Sequence, residues 1–168
     1  MVLKQFFYII TVMKFLLLTG IPGTGKTEIG NHLAAKFGFV HLDVEDTLPK
    51  PNSETILNET IANCINENKD LVITWGFMPV VDDQSIASLR AAGAKLVWFD
   101  GDRPSARKAF IERGTVPEGL LDNQMAKIEK IDVASVYNPI FYNTLDENGV
   151  FKSKDQMSHD LIVIAEDP

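Results

Sequence analysis

The sequence has a single cysteine, Cys64, in 168 residues, which excludes an internal disulfide framework and any metal site built from several cysteines. It has no arginine between Met1 and Leu89, and only four in all. It has no positive excess either: sixteen Lys plus Arg against twenty-three Asp plus Glu give −7, the wrong sign for a protein that grips nucleic acid mainly through phosphates. The imbalance is uneven, since residues 1–42 carry +3 and the remainder −10. A long apolar run is also missing. Phe6 to Met13 is apolar, but only nine residues separate Lys4 from Lys14, too few to cross a hydrocarbon layer of about 30 Å. A lysine followed by an apolar stretch matches the opening of a secretory signal, yet no small-residue cleavage site precedes Gly20, and a cut after it would destroy the motif described below. The plainer reading is the leading segment of a cytoplasmic protein, with Met13-Lys14 as an alternative start and residues 1–12 as an extension outside the core. Repeats, low-complexity tracts and linkers are absent. With 45% hydrophobic and 23% charged residues, the chain reads as one globular domain over 1–168 rather than a disordered one.

What is present is an alternation of strands and helices. Phe15-Leu-Leu-Leu-Thr19 is a short apolar run ending at glycine, the pattern of a strand buried on both faces. Glu28 to Phe37 places Ile29, Leu33 and Phe37 at helical spacing and stops at Gly38. Phe39–Leu42, Leu71–Thr74, Lys95–Phe99 and Ile140–Thr144 read as further strands. Pro49 and Pro51 mark a loop before a helix that Ser53 caps, with Ile56, Leu57, Ile61 and Ile65 on one face. Ile86, Leu89 and Arg90 belong to a helix stopping at Gly93. Pro104 to about Ile131 reads as two helices interrupted at Gly114 to Pro117, and Ser153 caps a last helix with Met157, Leu161 and Ile164. Asp146-Glu-Asn-Gly149 is a turn. The fold class expected is a three-layer α/β/α domain with a parallel sheet of about five strands, joined by right-handed crossovers.

Gly20-Ile21-Pro22-Gly23-Thr24-Gly25-Lys26-Thr27 fits the phosphate-binding pattern G-x-x-x-x-G-K-[ST] between a strand and a helix. Glycines let successive N–H groups face one anion, and the helix start adds its positive dipole end. Lys26 would reach the β- and γ-phosphates of a nucleotide, and the Thr27 hydroxyl would ligate Mg²⁺. Asp43, at the carboxyl end of the second strand, lies on the edge where open α/β sheets bind ligands. It suits orienting Mg²⁺ through water or taking a proton from an acceptor hydroxyl. Glu45 follows two residues later and suits holding the acceptor, although an acidic loop or helix-start acids explain Glu45 and Asp46 equally well. Trp75-Gly76-Phe77 ends the third strand, where a bare glycine between aromatics would admit a small acceptor; two core rings are the alternative. Arg103, Arg107, Lys108 and Arg113 follow the fourth strand. A closing cation stabilises charge on a moving phosphoryl group, while a solvated basic helix face is the competing explanation. His32, His41 and His159 show no ligand spacing and read as core or surface histidines, and Cys64 as a small buried apolar residue.

These motifs together resemble the small P-loop kinases of the adenylate, shikimate and gluconate kinase superfamily, over Lys14 to roughly Asp167. The Gly20–Thr27 loop is similar to that opening adenylate kinases, and Asp43-Val-Glu45 resembles the Asp-x-Asp of shikimate and gluconate kinases. Trp75-Gly-Phe-Met-Pro79 is similar to the Asp-Gly-Phe-Pro-Arg stretch of adenylate kinases. Leu120-Leu-Asp-Asn-Gln-Met-Ala-Lys-Ile-Glu129 is similar to the helix after the lid in gluconate kinases. The resemblance implies strand order 2-3-1-4-5, a lid over about 103–130 and transfer of the ATP γ-phosphate. It implies catalytic roles for Lys26, Asp43 and Arg107 or Arg113. Trp75 replaces the family aspartate and no arginine precedes Arg90, which argues against a nucleoside monophosphate acceptor, because a phosphate clamp needs guanidinium geometry. The function expected is ATP- and Mg²⁺-dependent phosphorylation of a small metabolite hydroxyl. The alternatives are a nucleotide-binding regulator with little acceptor chemistry and a nucleic-acid 5′-hydroxyl kinase.

Overall fold

The strand β1 (Phe15–Gly20) is buried along its whole length, as an unbroken apolar run with no polar face requires. It occupies the middle of a five-stranded parallel sheet in the computed structural model, which describes residues 13–47, 53–76, 80, 82–114 and 118–167. The other strands are β2 (Val40–Asp43), β3 (Leu71–Thr74), β4 (Lys95–Asp100) and β5 (Ile140–Asn143), in the order β2-β3-β1-β4-β5. Leu17 pairs with Ile73 on one side and Leu96 on the other. The helices are α1 (Lys26–Phe37), α2 (Val44–Thr47), α3 (Ser53–Glu67), α4 (Asp83–Ala91), α5 (Arg103–Arg113), α6 (Glu118–Glu129), α7 (Val133–Tyr137) and α8 (Lys154–Glu166).

The two-residue period of β1 divides the interior into two cores. Leu16 and Leu18 face one core with Ile29 and Leu33 of α1 and Leu161 of α8. Phe15 and Leu17 face the other, with Ile61, Ile86, Ala106 and Ile128 from α3, α4, α5 and α6. This is the three-layer arrangement expected from the alternating elements. No described helix is long and apolar enough to cross a membrane.

Several local signals hold. Ser153 accepts a hydrogen bond from the Gln156 N–H (3.1 Å) at the start of α8, and Asp146 opens a turn in which the Gly149 N–H donates to its carbonyl (3.1 Å). Cys64 is buried and free. The apolar face of α3 needs correction. Ile61, Cys64 and the part-buried Leu57 pack inward, while Ile56 and Ile65 are 41% and 47% exposed. Positions 57, 61 and 64 share a stripe at helical period, and 56 and 65 fall on its two flanks. The short helices α2 and α7 escaped the sequence reading, being too brief to show a period. The N-terminal extension, the loop around Pro49 and Pro51, the Ser53 side chain and residues 115–117 of the helix interruption lie outside the described residues. One oddity stands in α1: Gly30 is buried in the helix interior, where glycine costs roughly 0.5–1 kcal/mol relative to alanine.

Candidate active site

The loop between β1 and α1 is welded to its surroundings by backbone. The Ile21 N–H donates to the Phe99 carbonyl of β4 (2.9 Å), and the Thr24 hydroxyl to the Ile21 carbonyl (2.6 Å). Gly20 ends β1, and Ile21 and Pro22 are buried. Gly23 has φ +82°, and a Cβ there would lie 2.0 Å from the Ala106 carbonyl of α5, so neither the dihedral nor the space admits a side chain. Gly25 caps α1 with φ 84° and no side-chain hydrogen bond. The Lys26 ammonium curls onto the loop, donating to the Ile21 carbonyl (2.9 Å) and the Gly20 carbonyl (3.4 Å). Burial pulls its pKa down to about 8, with Glu45 and Asp43 opposing and Arg113 adding to the lowering.

The structure brings Thr27, Asp43, Glu45 and Gly76 together beside Lys26. Asp43 is the last residue of β2, and its Oδ2 accepts the Thr27 hydroxyl at 2.7 Å. Its Oδ1 accepts the Glu45 N–H at 3.0 Å. Burial pushes the Asp43 carboxyl up, but the Thr27, Glu45 and Thr74 side chains and the Asp46 backbone donate to it and hold it below its ordinary range. Glu45 moves the other way, raised by burial and by the Asp43 charge against the Gly76 N–H and Lys26. Two adjacent carboxyls thus part in acidity: one stays an anion and the other keeps its proton longer.

Gly76 ties β3 into the same cluster. Its N–H donates to Glu45 Oε1 (2.7 Å), and its carbonyl accepts from Gln124 of α6 (3.1 Å). A Cβ on Gly76 would come within 2.4 Å of that Glu45 oxygen, so the close approach depends on the missing side chain. Trp75 does not form an open aromatic wall. It is 7% exposed and belongs to the core with Leu17, Ile21 and Val44, the second of the two readings its sequence allowed. Phe77 lies outside the described residues.

The two lid arginines belong to α5, and Arg113 is near enough to Lys26 for its charge to bear on the ammonium. Arg107 of α5 pairs with Asp122 of α6 at 2.6 Å, and the Arg113 guanidinium lies 5.4 Å from the Phe110 ring centre. Beside the loop a cavity of about 450 Å³ is lined by Ile21, Pro22, Arg103, Arg107, Leu121 and Met125, among others. Gln124 and Asp122 were missed as site residues, although both fall in the Leu120–Glu129 stretch singled out by resemblance. Thr74 carried no signal beyond ending a strand. No cluster of three or more metal-ligating His, Cys, Asp or Glu occurs among the described residues.

The strand order and the glycine-rich loop at the edge of β1 define a P-loop kinase fold. No family model matches the chain. A shikimate kinase of Thermodesulfovibrio yellowstonii is 30% identical over 144 residues, covering 71% of this chain and 83% of that protein. In fold the chain is similar to a shikimate kinase of Bacteroides thetaiotaomicron, with TM-score 0.58, 19% identity and coverage of 92% and 99% of the two chains. A gluconokinase of Sinorhizobium meliloti aligns with TM-score 0.58 at 14% identity, covering 92% and 95%. The tunicamycin resistance protein of Deinococcus radiodurans aligns with TM-score 0.62 at 11% identity, covering 92% and 96%. The chain belongs to the small P-loop kinases of the shikimate and gluconate kinase type.

Proposed function

We propose that this kinase transfers the γ-phosphoryl group of ATP to a hydroxyl of a small metabolite. The observation that carries the reading is the Thr27–Asp43 hydrogen bond (2.7 Å), which joins the phosphate loop to the carboxylate edge where an acceptor would lie. In this reading the loop N–H groups and Lys26 hold the β- and γ-phosphates, with Lys26 leaving its two loop carbonyls to do so. Thr27 is the residue that would hold Mg²⁺, and Asp43 would orient the ion's water shell; both are hard oxygen donors of the type that ion selects. Bound there, Mg²⁺ neutralises charge on the phosphate oxygens.

Asp43 holds the acceptor hydroxyl in line with the γ-phosphorus and takes its proton as the oxygen attacks. The new O–P bond forms, the bond to the β-phosphate oxygen breaks, and ADP leaves. Glu45, fixed by Gly76, holds a second acceptor hydroxyl, while Gly76 leaves room for it. Arg107 or Arg113 moves onto the transferring group and stabilises the spread negative charge.

ADP release from Mg-ATP is measured with and without a deproteinised small-metabolite extract, with Lys26→Ala as the blank. Extract-stimulated release, at least about a hundredfold lower in the variant, is the expected result. Unchanged ATP affinity and turnover in Lys26→Ala would sink the assignment.

A further inference from the structure

Glu45 and Gln124 spend themselves on the same residue. Glu45, two residues past β2, accepts the Gly76 N–H on Oε1 (2.7 Å), and Gln124 of α6 donates from Nε2 to the Gly76 carbonyl (3.1 Å). A carbonyl only accepts, so this bond fixes which way the Gln124 amide is turned. Its Oε1 then has no hydrogen bond among the described residues. The Gly76 N–H occupies one of the roughly four lone-pair positions of the Glu45 carboxyl. Asp43 stays an anion despite its burial, because the hydrogen bonds it accepts outweigh that cost. This edge therefore offers a ligand mainly lone pairs, from two carboxyls and one amide oxygen.

Groups that would hold an anion are scarce on the same side of the sheet. From Gly38 to Asn68 the sequence has one cation, Lys50, and from Asp70 to Leu89 it has none, against nine Asp and Glu in the two spans. Those spans supply β2, α2, α3, β3 and most of α4. The four arginines come later in the chain. Arg90 donates to the Tyr137 carbonyl, Arg103 pairs with Asp100 (3.4 Å), and Arg107 pairs with Asp122 (2.6 Å). Arg113 lies against Phe110 and shares its field with Lys26, on the side assigned to the phosphates.

We propose that the acceptor is a hydroxyl-rich metabolite without an acid group, a polyol with or without an amine, and not a carboxylate or a phosphate ester. The proposal rests on the reading of this edge as the acceptor site and names the class of molecule it takes. Each hydroxyl brings a proton to a wall that lacks them, and the second N–H of Gln124 can return a bond to a hydroxyl oxygen. A carboxylate brings lone pairs to lone pairs and enters against the Asp43 charge, so the edge rejects it as well as failing to hold it.

The test uses the full chain and ATP labelled with phosphorus-32 at the γ position. A deproteinised metabolite extract, freed of nucleotides on charcoal, is split on an anion exchanger at about pH 8. The unretained and retained fractions are added separately, at equal extract equivalents. Labelled product is expected with the unretained fraction, at least about tenfold above the retained one. Label transferred chiefly in the retained fraction would overturn the acceptor class and leave the proposed function standing. No transfer with either fraction would overturn the proposed function and the acceptor class with it. Gln124→Ala is expected to raise KM for the unretained fraction about tenfold with KM for Mg-ATP within twofold, and an unchanged acceptor KM would overturn its part in the edge. Lys50 lies outside the described residues. Lys50→Ala is expected to change transfer less than twofold, and a tenfold loss would overturn the reading of an edge that works without a cation.

Discussion

The phosphate loop and the α5–α6 arm meet at the same cavity but are held by different forces. The loop is fixed by buried backbone: Ile21 to Phe99, Thr24 to Ile21, and Gly23 against Ala106. The arm is seated in the core through Ala106, Phe110, Leu121 and Ile128, but its arginine side chains are tied by exposed pairs, with Arg107–Asp122 at 41% and 58% side-chain exposure and Arg103–Asp100 at 47% and 37%. Buried backbone bonds are expensive to break, whereas each exposed ion pair contributes about 0–1 kcal/mol. The comparison teaches where rearrangement is cheap: the anion cradle is preset, and the arginine side chains that would close on it are lightly tethered on a helix whose other face is buried.

The sharpest way to break that contrast is to disturb the carboxylate at the rigid side. Asp43→Asn keeps the shape and one acceptor oxygen but removes the charge. It is expected to lower turnover by about a hundred- to a thousandfold, with thermal stability within a few degrees of wild type. Equal turnover would move the chemistry away from β2. Next comes Lys26. Its folded pKa is about 8, below the ordinary value of 10.5, so the unfolded chain binds more protons between those limits. Stability of the nucleotide-free protein should therefore rise with pH from about 8 to 10.5, relative to Lys26→Met. Nucleotide affinity should fall over the same window as the ammonium is lost, by up to about tenfold per pH unit, and Lys26→Arg should flatten that profile. Isothermal titration with Mg-ATP from pH 7 to 9.5 checks both the size and the sign. The smallest effect belongs to the arm. Asp122→Ala is expected to shift stability by less than about 1 kcal/mol, measured by urea denaturation, because the pair it breaks is exposed. A larger loss would show the arm to be as firmly built as the loop.

The same contrast explains what was legible before the structure. The Gly20–Thr27 loop is local, since eight adjacent residues carry both the turn and the chemistry, and its strand–loop–helix setting follows from apolar patterning on either side. Asp43 was placed by its position at a strand end. The strand order came from resemblance, because periodicity does not say which strands are neighbours. Gln124 reaches Gly76 across 48 residues, and His41 acquires a partner only when β3 folds beside β2. A lone histidine on a strand carries no spacing signal, and a glycine inside a helix, Gly30, reads as a weakness until the His41 ring packed against it is seen. Trp75 and the flanks of α3 went astray for a related reason: aromatic and apolar residues declare that they can be buried, and the fold decides which are.

The union of α1 with α8 carries one more consequence. Lys154 pairs with Glu28 at 2.7 Å across 126 residues, His32 meets Asp155 at 2.9 Å across 123, and Leu161 fills the core beneath Leu33. On a ribosome the helix that bears Lys26 emerges more than a hundred residues before the helix that supports it. At about 5–20 residues per second, that is a wait of roughly 6–25 seconds. During it the side of α1 that meets α8 has no cover, so the newborn chain carries its nucleotide signature long before its nucleotide site is fully supported, and a chaperone's interest in it should end when α8 arrives.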